Sequence, residues 1–420
     1  MNCRNCKKKL LNKAINIGKQ CISSVFPEKI KNNLKKYSLD LYKCDYCELV
    51  QFKKTIPFQD MYGLTYGYRT SLSPLMIRHI KDKYKYINKK KYYKKGSYIL
   101  DIGSNDGTFL NFFSNNKNDL NLYGIDPSAA KFQKYYKKNV NLIVDYFSKE
   151  SLNHIKSKFD LITSFAMFYD IEDPNKFCSD INKLLNKNGI WILELSYFPL
   201  LLKNLTYDQI CHEHVCYYTL RSFNKIISKH NLQILDFSFN EINGGSIEIV
   251  CAKKSSNHTP KKEKIKKQFS YEESINSISF KKFNARIENT KKILNFFLTK
   301  ISSRDIIAYG ASTKGNIVLN HCGINNKKIK YICDANPYKF NKYTPGSNLK
   351  IISKKDMRFK KPKYLLVLIW SFRKEVIKQE LNYLKKGGKL IFHLPIFHIV
   401  DSKNYKEFIN SDFKSLAYDL

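Results

Sequence analysis

The residues of this 420-residue chain that could do chemistry gather in a few short stretches, and the densest is QICHEHVCYYTL, Gln209 to Leu220. His212, Glu213 and His214 are consecutive there, so on a helix they would point to different faces and make a poor metal chelate beside an HExxH pattern. Two histidines flanking a carboxylate suit proton transfer instead, because histidine titrates near neutral pH and a neighbouring Glu can orient the ring or raise its pKa. A second stretch, DMYGLTYGYRTSLS at Asp60 to Ser73, is dense in tyrosine and hydroxyls. Tyr66 and Tyr68 share one face if extended, which would set phenols against a ligand, the alternative being packing or surface aromatics.

A third stretch, YILDIGSNDGTFL at Tyr98 to Leu110, reads as a short buried strand, a turn with Gly103, Asn105 and Gly107, and a helix opened by Thr108. Glycines there let backbone approach a ligand, and the helix start offers free N–H groups, which together suit a nucleoside. LYGIDPS, Leu122 to Ser128, then puts Asp126 at a strand's carboxyl end, about 20 residues on, where an acid can bind ribose hydroxyls. Asp101 and Asp106 add acid around the turn, which disfavours a pyrophosphate and favours a cationic nucleoside such as S-adenosylmethionine. The expected cofactor set is Asp101, Gly103, Ser104, Asn105, Gly107, Asp126 and Pro127, with Asp145 at the end of the third strand meeting the adenine amine beside Tyr146 and Phe147. Phe165 at the end of the fourth strand and Met167 just after it complete the set.

Cys3-Arg-Asn-Cys6 and Cys44-Asp-Tyr-Cys47 are two CxxC pairs separated by 37 residues. Each pair can present two thiolates to one tetrahedral zinc, and two pairs close a structural Cys₄ site with no open position for catalysis. A redox role would call for a strand-then-helix context that neither pair has.

The elements that must position these groups follow an alternating pattern. Strand signals at Ser97–Ile102, Leu122–Asp126, Val140–Asp145, Phe159–Phe165 and Gly189–Leu195 are separated by helical stretches, including one over Ala129–Lys138, which reads as a doubly wound parallel sheet. AMFYDIEDPNKF, after the fourth strand, falls where the ligand crevice of such a sheet opens. Lys254 to about Lys282 reads as a polar linker leading into a helix that ends near Thr299. RDIIAYGASTKGNIVLN then restarts the α/β pattern as a second Rossmann-like unit without the full GxGxxG. Ser312, Thr313 and Lys314 in its first helical turn could hold an anion, and Asp334 ends its next strand.

The net charge is +38, but the lysines are spread along the whole chain rather than gathered in an arm, which points to compositional bias more than to nucleic acid. No apolar run reaches the roughly 18 residues a membrane span needs and no signal peptide is evident, so the cytoplasm is the expected compartment and the eleven cysteines are not a disulfide framework.

With these motifs in hand, nearly the whole chain resembles the three-domain NDP-sugar C-methyltransferases of deoxysugar biosynthesis. The match rests on the two CxxC pairs, GSNDGTFL, AMFYDIEDP, HEH followed by Tyr217, the NGGS turn at Asn243 to Ser246, and YGASTKG with DANPYKFNKYTPG. The resemblance implies an α/β architecture with a zinc-binding lobe (1–60), a class I S-adenosylmethionine-dependent methyltransferase domain (61–253) and a C-terminal Rossmann-like domain (254–420). It implies His214 as the base that removes a proton beside a 4-keto group, with Glu213 and His212 as neighbours and Tyr66 or Tyr68 in the site. It further implies Lys314, Asn336 and Lys339 on the substrate's nucleotide, and methylation at sugar carbon 3. The expected partner is a nucleotide sugar, with no nucleic acid or membrane, the protein being a monomer or weak homo-oligomer. Two departures are Cys211, where the family often has an aromatic residue, and Glu248, where a basic residue can follow the glycine turn. The rival readings are methylation of sugar oxygen or nitrogen, and a zinc-containing RNA-binding or RNA-modifying protein.

Overall fold

The computed structural model describes residues 2–9, 12–56, 69–114 and 119–412. Tyr66 and Tyr68 lie outside the described residues.

Short strands with bends between them build the amino-terminal lobe: β1 (Asn12–Ile15), β2 (Lys19–Cys21), β3 (Lys36–Ser38), β4 (Leu41–Lys43) and β5 (Val50–Phe52). β2 and β3 form a hairpin, while β1, β4 and β5 belong to an antiparallel sheet whose fourth strand comes from far along the chain. That strand is β11 (Cys216–Tyr217), which pairs Cys216 with Gln51 and Tyr217 with Val50.

The central sheet contains β6 (Tyr98–Ile102), β7 (Asn121–Ile125), β8 (Val140–Ile143), β9 (Phe159–Phe165), β10 (Leu185–Ser196), β12 (Leu232–Asn240) and β13 (Ser246–Lys253). Their order is β12-β13-β10-β9-β6-β7-β8, parallel except for β13, which runs antiparallel to both neighbours. This is the class I methyltransferase arrangement, with chain direction across the sheet reversing between β6 and β9, where ligands of open α/β sheets bind. Apolar runs make these strands central because both faces are covered, as in the fully buried Leu161, Ile162, Ile192 and Leu193.

The helix Pro74–Lys90 covers one flank, started by Pro74 and by Ser73, whose hydroxyl accepts from the Met76 amide. Its buried stripe is Met76, Ile80, Lys83 and Ile87, helical spacing with one cation among the apolar positions.

The carboxyl-terminal sheet uses β14 (Ile306–Tyr309), β15 (Tyr331–Cys333), β16 (Lys350–Ile352), β17 (Tyr364–Val367), β18 (Lys389–Phe392) and β19 (His398–Val400). The order is β16-β15-β14-β17-β18-β19, with only β19 antiparallel.

Three local expectations differ from the structure. The stretch after Asp126 is a 3₁₀ helix over Pro127–Tyr135, started by Asp126, which binds the Ser128 amide, so no α-helix runs to Lys138. The third strand ends at Ile143, two residues short of Asp145. Within the lysine-rich region after β13, Lys262–Glu273 is helical, and its Glu272 is buried because both carboxylate oxygens accept from backbone amides, at Leu220 and Arg221, each at 2.7 Å. That carboxylate caps the helix Leu220–Ile227, which ties the supposed linker to the central domain. No helix among the described residues is long and apolar enough to cross a membrane.

Candidate active site and zinc centre

A cavity of about 860 Å³ lies at the point where the central sheet reverses, and residues of all three lobes line it. One wall is the glycine turn after β6. Gly103, Ser104 and Asn105 line the cavity together with Asp101, Asp126 and Pro127. Asp126 organises the wall: one carboxylate oxygen accepts from the Asn105 amide at 2.9 Å, the other from the Ser128 amide and hydroxyl at 2.6 Å. Asp101 is buried beneath, accepting from the Thr163 hydroxyl at 2.7 Å, and burial pushes its carboxyl up to about 7. A cationic amine brought into this wall would reverse that shift.

Gly107 does not line the cavity but is required by the turn: its φ is +73° and a Cβ there would stand 2.7 Å from the Tyr136 ring. Asp106 is also structural, accepting from the Ser71 amide at 3.0 Å and the Thr108 hydroxyl at 2.6 Å. Tyr146, Phe147, Phe165 and Met167 reach the cavity. Asp145 does not; it is exposed and its carboxylate accepts from the Tyr146 amide at 2.7 Å.

The opposite wall is the HEH loop. β11 docks on β5, the Phe52 amide donates to Val215 O at 3.0 Å, and Gln209 is tied by its side chain to Ser196 and to the Asn243 carbonyl. Held at both ends, the loop turns Glu213 and His214 into the cavity, while His212 is not among the lining residues. His212 instead packs edge-on against Tyr37 with ring centroids 6.0 Å apart, on the zinc-lobe side. The trio is therefore split by the backbone, one histidine to each side.

His214 lies against Tyr169, ring centroids 4.1 Å apart, and its Nδ1 is buried without a hydrogen-bond partner among the described residues. Burial, with the charge of Lys314 beside it, pulls His214 down to about 3, so the ring is neutral across the physiological range. Burial pushes the Glu213 carboxyl up, with Ser24 and Cys211 offsetting part of it. Cys211, one of the two departures noted in the sequence, lines the cavity on this wall.

The third wall comes from the carboxyl-terminal lobe, with Gly310, Ser312, Thr313, Lys314, Asp334, Asn336 and Lys339. Lys339 donates to Ala311 O at 2.8 Å and sits 3.9 Å from an Asp334 carboxylate oxygen. Lys314 reaches away from this turn and donates to Asn243 Oδ1 at 2.8 Å.

Two buried acids of the cavity escape the sequence reading. Asp208 lies one residue before the stretch marked by the histidines; it accepts from the Trp370 indole N–H at 2.8 Å, and burial lifts it to about 6 against the pull of Lys314. Glu194, at the carboxyl end of β10, accepts from His79 Nε2 at 2.8 Å and lies 2.5 Å from Lys83 Nζ. Burial alone would raise Glu194, but Lys83 and His79 outweigh it and hold the carboxylate at about 2. An acid closing a long apolar run, as in GIWILEL, is the signal that could have found it.

The four cysteines of the CxxC pairs come together, their Sγ atoms all within 4.8 Å of one another and the closest, Cys3–Cys47 and Cys6–Cys44, at 3.4 Å. Sulfurs about 2.3 Å from a tetrahedral zinc stand roughly 3.8 Å apart, so the cluster fits that ion. Gln51 Nε2 donates to Cys3 Sγ at 3.1 Å, a contact that orients a thiolate from the strand carrying β11.

Three family descriptions match the chain in order: a zinc binding domain over residues 3–62, a methyltransferase domain over 75–236 and a C-methyltransferase C-terminal domain over 241–395. The C-methyltransferase NovU of Streptomyces niveus is 25% identical over 377 residues, covering 88% of this chain and 89% of its own. A tRNA U34 carboxymethyltransferase of Campylobacter jejuni is 30% identical over 123 residues, covering 27% of this chain and 41% of its own. Among solved structures, an S-adenosylmethionine-dependent methyltransferase from Clostridium acetobutylicum aligns with 41% of this chain and 91% of its own, at 17% identity and a TM-score of 0.32. With a zinc-binding domain, a methyltransferase domain and a C-methyltransferase C-terminal domain matched in that order on one chain, this protein is an S-adenosylmethionine-dependent methyltransferase whose domain order is that of a C-methyltransferase.

Proposed function

We propose that this enzyme methylates carbon beside the ketone of a nucleotide-linked 4-keto-deoxysugar. The observation that carries the reading is the single cavity of about 860 Å³, in which the Asp101–Asp126 wall, His214 and the Asn336–Lys339 wall face one space. That is toward the upper end of the roughly 300–1,000 Å³ range of ligand pockets, as a space shared by a nucleoside cofactor and a sugar nucleotide would be. The cofactor supplies an electrophilic sulfonium methyl.

Carbon is a poor nucleophile unless a neighbouring ketone acidifies its proton, so the enzyme needs a base within reach of that carbon. His214 suits the role because it is neutral, recessed and unpartnered at Nδ1. Glu213 supports the ring from the same loop. Asp126 holds the cofactor's ribose and Asp101 its amine, while Asn336 and Lys339 hold the substrate's nucleotide. His212 serves the packing of the zinc lobe rather than the reaction. Carbon 3 follows from the resemblance, and the domain limits 1–60, 61–253 and 254–420 are part of the same reading.

The test is NMR of UDP-, GDP-, CDP- and TDP-linked 4-keto-6-deoxyhexoses in D₂O with the protein. The expected result is deuterium entering beside the ketone without cofactor, and a new carbon-bound methyl when S-adenosylmethionine is added. Methyl transfer to oxygen or nitrogen without any exchange would overturn the reading.

A further inference from the structure

We propose that Lys314 is a catalytic residue, its ammonium holding the ketone oxygen of the substrate while His214 removes the neighbouring proton. This rests on the function proposed above and adds an electrophile to it.

Position in the sequence suggests another role. Lys314 stands in the first turn of the helix Thr313–His321, behind the Gly310 turn, where an anion would be held. Its side chain leaves that turn. Nζ crosses to the central domain and donates to Asn243 Oδ1 at 2.8 Å, on the turn between β12 and β13. That turn is itself braced, because Asn204 Nδ2 donates to Gly244 O at 2.7 Å and Gln209 Nε2 donates to Asn243 O. A Cβ on Gly244 would lie 2.6 Å from the Trp370 ring, so the turn is also pressed against the carboxyl-terminal lobe.

The two lysines of this lobe therefore divide the cavity between them. Lys339 stays at the Gly310 turn with Ala311 and Asp334, as a nucleotide ligand would. Lys314 joins His214 and Asp208, residues that line the same cavity. Asp208 has one carboxylate oxygen on the Trp370 N–H and the other, Oδ1, buried without a hydrogen-bond partner among the described residues. It faces the buried lysine with a negative charge that offsets part of the burial pulling Lys314 down. An ammonium has three N–H groups, and Asn243 takes one.

The step balances without a further reagent. A His214 ring nitrogen takes the proton beside the ketone, the C–H pair becomes the C=C bond, and the carbonyl π pair moves onto oxygen against a Lys314 N–H. The oxygen pair then re-forms C=O as the carbon bonds to the sulfonium methyl, with the C–S pair left on sulfur. A donor fixed in a water-poor site where negative charge develops is worth about 10²–10³ in rate.

The test compares Lys314→Met with wild type, using the 4-keto sugar nucleotide that exchanges fastest and the free nucleoside diphosphate it carries. We expect exchange in D₂O, measured without cofactor, to slow by about 100-fold or more, while the Kd of the nucleoside diphosphate changes less than about threefold. Exchange retained in Lys314→Met, with the nucleoside diphosphate bound more than about tenfold weaker, would make Lys314 a diphosphate ligand and overturn the proposal. Asn243→Gly is the second variant, since glycine keeps the left-handed backbone of that position, at φ +57°, and frees Nζ without removing the charge. It should slow exchange about tenfold and leave nucleotide and S-adenosylmethionine binding unchanged; unaltered exchange counts against the proposal. A wild type that binds these nucleotides yet never exchanges would instead refute the underlying function.

Discussion

Lys83 Nζ lies 2.5 Å from Glu248 Oε2, a pair joined across 165 residues and buried between the helix Pro74–Lys90 and β13. The same Nζ is 2.5 Å from Glu194 Oε2, so one cation serves two carboxylates, one of which lines the cavity. The sequence departure at Glu248 is thus answered by a base from another element. Removing a partner from a buried pair leaves an uncompensated charge at a cost of about 3–5 kcal/mol. Lys83→Met should therefore lower unfolding stability by roughly that amount, measured by denaturant titration. Lys83→Met combined with Glu248→Leu should recover part of the loss, and a fully additive double variant would show that the pair is not coupled.

How much of this was legible depends on how local the signal is. The glycine turn, Asp126 and the paired cysteines are read directly, because each motif closes within a few residues or carries a spacing that only one geometry explains. Lys83 is half legible: a lysine in an apolar helical stripe demands a counter-ion, but nothing local names Glu194 and Glu248. Glu272 is hidden more deeply, since its lysine-rich surroundings read as solvated while the amides it caps lie fifty residues earlier. The opposite fates of His212 and His214 come from β11 docking on β5, a pairing between distant segments that periodicity cannot reveal.

Zinc should matter for the active site as well as for the lobe. Gln51 touches Cys3 and pairs in register with Cys216, two residues after His214. Because binding energy at a structural zinc is folding energy, removing the ion should loosen β5 and with it the HEH loop. Metal analysis should find one zinc per chain, and Cys44→Ser should lose it. In that variant, amide exchange should rise at residues 50–52 and 209–217, while the glycine turn after β6 stays protected. Uniform protection in the zinc-free variant would sever the proposed link.

The split of the histidines gives a clean comparison. His214→Ala should keep S-adenosylmethionine affinity within about twofold and lose about 10²–10⁴ in methyl transfer, the range for a missing general base. His212→Ala, behind the loop, should leave turnover within a few-fold and lower the unfolding midpoint instead. Equal losses of turnover in both, at equal stability, would mean that the trio acts as one unit. Calorimetry of cofactor binding alongside single-turnover rates separates these cases.

Acid should destabilise the protein through buried neutral histidines. Burial holds His212 and His398 at about 4 and His214 and His393 at about 3, whereas an unfolded histidine titrates near 6.5. Between those values the unfolded chain binds protons that the folded one refuses, so stability falls as pH drops from about 6.5 toward 4, by at most about 1.4 kcal/mol per pH unit for each histidine. Asp101 and Asp208 act in the opposite direction, because burial raises them to about 7 and about 6, so the folded state holds protons that unfolded carboxyls have shed, and their contribution is lost as pH rises through those values. Glu213 and Glu272, raised by burial in the same way, add to the part of the histidine effect that these acids offset. His393 isolates the effect, since both ring nitrogens are buried without a partner among the described residues, in the carboxyl-terminal lobe and away from the cavity lining. His393→Leu should flatten the dependence of the unfolding free energy on pH between 6.5 and 4.5 by about one proton's worth. A slope identical to wild type would show that His393 is protonated in the folded protein.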